Sequence, residues 1–258
     1  MKVAANGINI NVTQEGSGDT TLVFLHYWGG SSLAWSQVIS RLSSTFRCVA
    51  LDGRGQGGSD APRDGYSAVD LADDVLGVVR ELEIDNYVVI GHSMGGKTAQ
   101  VVASRRPAGL RGIALIASSP PSPMPIGDEQ RAQMKMAYAN RDSVNWTLDN
   151  VLIGSPTSSQ AREQAVVDAL GVSQPAVLGW IDTGTREDFS REVASIDVPT
   201  VIVTGELDRV DPIDVVRGHI VPHFKDAPLH VIPGRGHLLP IEAPGEIADI
   251  LREFAAGL

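Results

Sequence analysis

One short stretch constrains this chain more than any other. The β-rich run Tyr87-Val-Val-Ile90 enters Gly91-His-Ser-Met-Gly95, and Lys97-Thr-Ala-Gln-Val-Val-Ala103 leaves it with helical character until Pro107 stops it. The pattern G-x-S-x-G alone is a weak signal in a chain with 27 glycines. Its position between a strand and a helix gives it weight. A serine at so sharp a junction takes a strained backbone, and Gly91, Gly95 and Gly96 make room for it. The turn lifts the Ser93 hydroxyl above the sheet edge. It also places the backbone N–H of Met94, at a helix N-terminus, where it can face a developing oxyanion.

The rest of the chain repeats the strand-then-helix rhythm. Strands are predicted over residues 8–14, 20–25, 46–51, 87–90, 113–117, 200–204 and 229–232, and helices over 32–42, 69–82, 93–106, 212–219 and 241–254. Alternation of this kind builds βαβ units and a largely parallel sheet, an α/β fold. Between Ser118 and Ser195 the rhythm stops. That stretch opens on Pro120, Pro121, Pro123 and Pro125 and carries Met124, Met134, Met136, Tyr138, Trp146 and Trp180 at helical spacing. It reads as a helical insertion. The expected organisation is a core of residues 1–119 and 196–258 with a helical cap over 120–195.

Composition removes several classes of function. At 258 residues a chain buries roughly 75% of its unfolded surface. A net charge of −10 argues against nucleic acid or anionic lipid as a partner, because both need a basic footprint. Cys48 is the one cysteine, so no intrachain disulfide forms. It lies in an apolar run and reads as a small buried hydrophobe. The first residues, Met-Lys-Val-Ala-Ala-Asn-Gly, lack the apolar core of a signal peptide, and no run is long enough to span a membrane. A soluble cytoplasmic protein is the expectation.

Gly53-Arg-Gly-Gln-Gly-Gly58 also follows a strand and matches the dinucleotide fingerprint. That fingerprint needs a helix to begin inside it, so that pyrophosphate meets the helix N-terminus. Here Ser59-Asp-Ala-Pro-Arg-Asp-Gly65 continues as loop, which argues against a nucleotide site.

On these motifs the chain resembles the α/β-hydrolase family over nearly its whole length. The resemblance rests on His26-Tyr-Trp-Gly-Gly30, Asp52-Gly-Arg-Gly-Gln-Gly-Gly-Ser-Asp60, Gly91-His-Ser-Met-Gly95, Gly205-Glu-Leu-Asp-Arg209 and Gly234-Arg-Gly-His237. It implies a mostly parallel eight-stranded sheet flanked by helices, with the 120–195 insertion as a lid. The family's order of serine, acid and histidine falls on Ser93, Asp208 and His237. Glu206 and Asp211 are the local competitors for the acid. The family's alternative acid position, after the preceding strand, holds Ser118-Ser119 and no carboxylate. The loop after the early strand is commonly His-Gly-X, with X donating its N–H. Here Tyr27 replaces the glycine, and Trp28 falls on the donor position beside Met94.

The resemblance implies hydrolysis of carboxylic esters of small to medium apolar substrates through an acyl-enzyme, with no metal and no cofactor. An aspartate at position 93 would have suggested a dehalogenase or an epoxide hydrolase, and the serine argues against both. Lactones (acyl homoserine lactones among them) and cofactor-free perhydrolysis remain open, as do carbon–carbon hydrolysis, lyase chemistry and ligand reception without turnover. Tyr27, Tyr138, Trp146, Trp180, Val210 and Leu238 are the expected substrate contacts. The expected partner is a small ester or lactone, and activity is expected to fall below about pH 6–7 as His237 takes up a proton. Oligomeric state has no signature in the sequence.

Overall fold

The computed structural model describes residues 1–258. Eight strands form one sheet: β1 (Lys2–Ala5), β2 (Ile8–Glu15), β3 (Thr21–Leu25), β4 (Arg47–Leu51), β5 (Tyr87–His92), β6 (Leu110–Ile116), β7 (Thr200–Gly205) and β8 (Leu229–Ile232). Their spatial order is β1-β2-β4-β3-β5-β6-β7-β8. The β1–β2 and β2–β4 pairs are antiparallel and all the others are parallel.

The central strands are buried on both faces, which explains their unbroken apolar runs. Their side chains still divide with period two. Val23, Leu25 and Val89 face one core layer, and Leu22, Phe24, Val88 and Ile90 face the other. The first layer is closed by helices α2 (Ala68–Glu81) and α3 (Met94–Ser104), through residues such as Val75 and Val101. Helix α1 (Ser36–Leu42), through Val38 and Leu42, packs on the second layer with the helix that ends the chain.

Residues 118–195 contain no strand. They form α4 (Asp128–Met134), α5 (Arg141–Thr147), α6 (Ser159–Gly171) and α7 (Gln174–Gly179), with π-helical turns at Leu148–Leu152 and Trp180–Gly184. Val144, Leu148, Val166 and Ala169 of this segment pack with Tyr27, Ala34 and Leu238 of the sheet-bearing part. No helix is long and apolar enough to cross a membrane.

Three sequence expectations need correction. Strand β1 lies outside the predicted set; only Val3 and Ala5 of its four residues turn inward, and it is held by pairing with β2. The helix predicted over 32–42 opens as a 3-10 turn, Ser32–Trp35, before α1. After α8 (Ile213–His219), the helix predicted over 241–254 is two helices, α9 (Leu239–Glu242) and α10 (Pro244–Ala256). The break falls at Ala243, because Pro244 has no N–H to continue α9 but suits the first turn of α10.

Candidate active site

Strand order reverses direction at β3 and β5: the chain leaves β3 toward β4 on one side and places β5 on the other. Loops leaving two such strands diverge and open a crevice at their carboxyl ends. Ser93 follows β5, and His26–Gly30 follows β3, so both border that crevice.

Ser93 has φ 55° and ψ −114°, a conformation disfavoured for a residue with a side chain. The packing around it is what fixes that backbone. A Cβ on Gly91 would run into the Gly95 carbonyl, and one on Gly95 would lie 2.6 Å from the Leu25 carbonyl oxygen. The turn at Ser93 and β3 therefore touch backbone to backbone. The Ser93 N–H donates to Ile116 O at 3.0 Å, and its carbonyl accepts from Gly96 N at 2.8 Å and Ser119 N at 3.2 Å.

His237 sits on the loop between β8 and α9. Its N–H donates to Leu152 O at 2.8 Å, and its carbonyl accepts from His92 Nε2 at 2.8 Å. Its Nδ1 meets Asp208 Oδ2 at 2.8 Å, with both side chains buried. The other Asp208 oxygen accepts the N–H groups of Val210 at 2.8 Å and Asp211 at 3.0 Å. Each oxygen of Asp208 is thus engaged, and Nε2 is the free nitrogen of His237. Burial alone pushes the His237 imidazole down. The charge of Asp208 and its hydrogen bond to Nδ1 lead the opposing effects, and the net direction is up.

The other acids play different parts. Glu206 accepts the N–H of Gly234 at 2.8 Å, on the loop that carries His237. Asp211 is fully buried, and neither of its carboxylate oxygens has a hydrogen-bond partner. Burial, followed by the charge of Asp208, raises its pKa to about 8. Among the remaining histidines, His26 Nε2 accepts from Gly53 N at 2.8 Å, so its Nδ1–H donates to Tyr27 O at 2.7 Å. That ties the two loops together. His92 is buried and pushed well below the usual imidazole range, so it is neutral and donates through Nε2 alone.

Trp28 and Met94 carry the two backbone N–H groups expected at an oxyanion site. Trp28 N donates to no protein acceptor. Met94, the first residue of α3, has no acceptor within its helix. The Trp28 loop is braced from both sides: Gly29 N donates to Gln56 Oε1 at 2.8 Å, and the Tyr138 hydroxyl donates to Trp28 O at 2.9 Å. The rings of Trp28 and Tyr138 lie 4.3 Å apart. Gly29, with φ 90°, leaves the space that the Tyr138 ring occupies. The glycine stretch after β4 serves the same bracing. It wraps Asp52, which accepts from Ser32 N and Gly58 N, each at 2.7 Å, and no helix begins until Ala68.

A cavity of about 760 Å³ opens over these groups. Ser93, His237, Trp28 and Tyr27 reach it from the sheet side, and Met124, Met134, Tyr138, Trp146 and Trp180 from the 118–195 segment. Val210 lines it as well. Leu238 does not: it is 1% exposed and packs among Tyr27, Leu148 and Leu152. Apart from His237, the one cationic side chain in the wall is Arg209, and Glu129 shares the wall with it.

Glu242 has no motif in the sequence and holds much of this arrangement. One of its oxygens accepts from Gly154 N, Ser155 N and Gly236 N at 2.9–3.0 Å, and the other from Leu238 N at 3.0 Å. Lys97 is also hidden from a motif search. It is wholly buried, donates to Glu187 O at 2.7 Å, and burial lowers its pKa to about 8.

A family model for the alpha/beta hydrolase family matches residues 22–250. The chain belongs to the α/β-hydrolase family. Among relatives of this α/β hydrolase, the 2-(acetamidomethylene)succinate hydrolase of Mesorhizobium japonicum is 26% identical, covering 94% of this chain and 90% of its own. The bifunctional esterase/perhydrolase DCH of Acinetobacter calcoaceticus is 28% identical, covering 91% of each chain. An esterase from Exiguobacterium antarcticum superposes with a TM-score of 0.90 at 22% identity, over 99% of this chain and 98% of its own, a likeness of fold.

Proposed function

We propose that this chain is a serine esterase acting on uncharged esters with apolar groups, with Ser93 as nucleophile, His237 as base and Asp208 as the acid that orients it. The observation that carries this reading is the shared cavity of Ser93 and His237, combined with the Asp208 bond that occupies Nδ1 and frees Nε2. Ser93 Oγ attacks the ester carbonyl carbon while its proton passes to His237 Nε2. The carbonyl oxygen becomes an oxyanion, and the N–H groups of Trp28 and Met94 receive it. The tetrahedral intermediate collapses, the C–O bond to the alcohol breaks, and His237 gives the proton to the departing alkoxide. Water then attacks the acyl-enzyme, with the same nitrogen as base, and the acid leaves. Asp208 stabilises the imidazolium at each stage.

Residues 120–195 act as a lid, supported by the methionine, tyrosine and tryptophan side chains they lend to the cavity roof. The wall favours a neutral substrate over a succinate derivative such as that of the Mesorhizobium relative: Arg209 is the single cation available, and Glu129 opposes it. A second reading, perhydrolysis, has specific support in the Acinetobacter relative, a bifunctional esterase/perhydrolase. There hydrogen peroxide replaces water in the second step and a peracid leaves.

The test is turnover of p-nitrophenyl esters, acetate to decanoate, by wild type and Ser93→Ala. The expected result is wild-type turnover and a loss on the order of a thousandfold or more in the variant. A variant that keeps most of its rate overturns the nucleophile assignment. A folded wild type inert to every ester overturns the substrate class.

A further inference from the structure

A second cavity of about 450 Å³ lies beside the first. Leu33, Ala34 and Gln37 wall it from the 3-10 turn and α1; Ala161, Ala165 and Asp168 wall it from α6. One residue is common to the walls of both cavities, and it is Tyr27.

The Tyr27 ring is placed as a partition. It is 4% exposed and packs with Leu152 of the first cavity and Ala165 of the second. It folds back over Gly30, where an added Cβ would lie 2.6 Å from its Cε1. Its other neighbour is the His92 ring, 5.2 Å between centres. A buried phenol normally has a hydrogen-bond partner. The Tyr27 hydroxyl donates to no protein atom, whereas Asp168, on the far side of the partition, is satisfied by Ser31 Oγ at 2.7 Å and Gln164 Nε2 at 2.8 Å. Polar bonding therefore does not fix the ring. Packing against Leu152, Ala165, Gly30 and His92 holds it.

The two cavities differ in chemistry. The first presents mainly methionine and aromatic side chains around Ser93. The second interleaves Leu33, Ala34 and Ile241 with the hydroxyl and amide groups of Ser36, Gln37 and Gln164. A joined channel would suit a long apolar chain whose far end carries a hydroxyl or amide. We propose that Tyr27 is the specificity-determining wall of the substrate site: its ring ends the first cavity and withholds the second from the substrate chain. This rests on the ester-hydrolase reading above. It bounds the substrate chain on the side of position 27, and a smaller residue there opens that side to longer chains.

The experiment is kcat/KM for p-nitrophenyl acetate, butyrate, hexanoate, decanoate and ω-hydroxydodecanoate, in wild type, Tyr27→Ala and the double variant Tyr27→Ala/Ala161→Trp. In Tyr27→Ala the ratio of decanoate or ω-hydroxydodecanoate to butyrate should rise by about tenfold or more, the scale of adding room for chain methylenes. Filling the second cavity with the indole of Ala161→Trp should reverse the rise. Ala161→Trp alone should leave the wild-type profile as it is. An unchanged length profile in Tyr27→Ala, or a gain that the filled cavity does not reverse, overturns the proposal. Tyr27→Leu shortens the wall while keeping apolar packing, and it replaces the alanine variant if that one does not fold. The two readings fail differently. A wild type inert to all esters overturns the esterase reading. The wall is then read from labelling of Ser93 by alkyl fluorophosphonates of increasing length, and a length limit that does not move in Tyr27→Ala overturns it.

Discussion

Glu242 and His237 share one tight turn: the Glu242 carboxylate accepts the N–H groups of Gly236 and Leu238, the two residues flanking the histidine, each at 3.0 Å. The same carboxylate accepts Gly154 N and Ser155 N from the helical segment. Glu242→Gln keeps the size but turns an NH2 group toward donors. The expected outcome is a fall in kcat of about tenfold or more and a stability loss of about 1.5–3 kcal/mol, the scale of hydrogen bonds to a charged group. Steady-state kinetics and urea unfolding check it. Unchanged kcat and midpoint would show that the turn holds its shape without the carboxylate.

The pH dependence follows from the direction of the His237 shift. The imidazole must be neutral to accept the serine proton. Its pKa in the folded chain is raised above 6.5, chiefly by the charge and hydrogen bond of Asp208, against the opposing effect of burial. The acid limb of kcat/KM should therefore be centred above pH 6.5, on the upper side of the range expected from sequence. Asp208→Asn removes that charge, so the limb should move down while kcat falls on the order of 10⁴-fold. A wild-type limb centred below pH 6 would contradict this assignment.

Asp211 makes an opposite kind of prediction, on stability. Its pKa rises from 3.8 to about 8 on folding. Between those values the unfolded chain has released the proton and the folded chain still holds it. The unfolded state then binds fewer protons, so this group makes stability fall as pH rises from about 4 to about 8. Asp211→Asn removes the effect. The variant should gain stability over wild type at pH 8, and gain little at pH 4. Guanidinium unfolding at the two pH values checks it, and a difference independent of pH would contradict it.

Tyr138 reaches from the helical segment to the carbonyl of Trp28, the residue proposed above to donate its N–H to the oxyanion. Tyr138→Phe removes one hydrogen bond and keeps the ring. The expected effect is a fall in kcat of roughly threefold to tenfold, matching about 1 kcal/mol, with KM nearly unchanged. A rise in KM alone would place Tyr138 in substrate binding and not in bracing the loop.

The sheet was legible because β3, β5 and β7 are apolar on both faces and are punctuated by glycine turns, as Gly91 and Gly205 show. The turn at Ser93 was legible for the same reason: its backbone demand is written in neighbours that have no Cβ. Strand β1 was not, since four residues with two inward side chains carry no period, and its pairing with β2 decides it. Leu238 looked like a substrate contact from its place beside His237, but the turn directs it into the packing under Tyr27. Glu242 and the second cavity were invisible for a different reason. Glu242 gathers amides from Gly154, 88 residues away, and the cavity is walled by α1 and α6, so neither leaves a local pattern.

The central claim is that an acyl group passes through Ser93. Its most direct test is mass spectrometry of the enzyme quenched in acid during turnover of p-nitrophenyl butyrate. A butyryl adduct is expected on the peptide that carries Ser93, absent in Ser93→Ala. Turnover with no adduct there, or with the adduct on another residue, would contradict it.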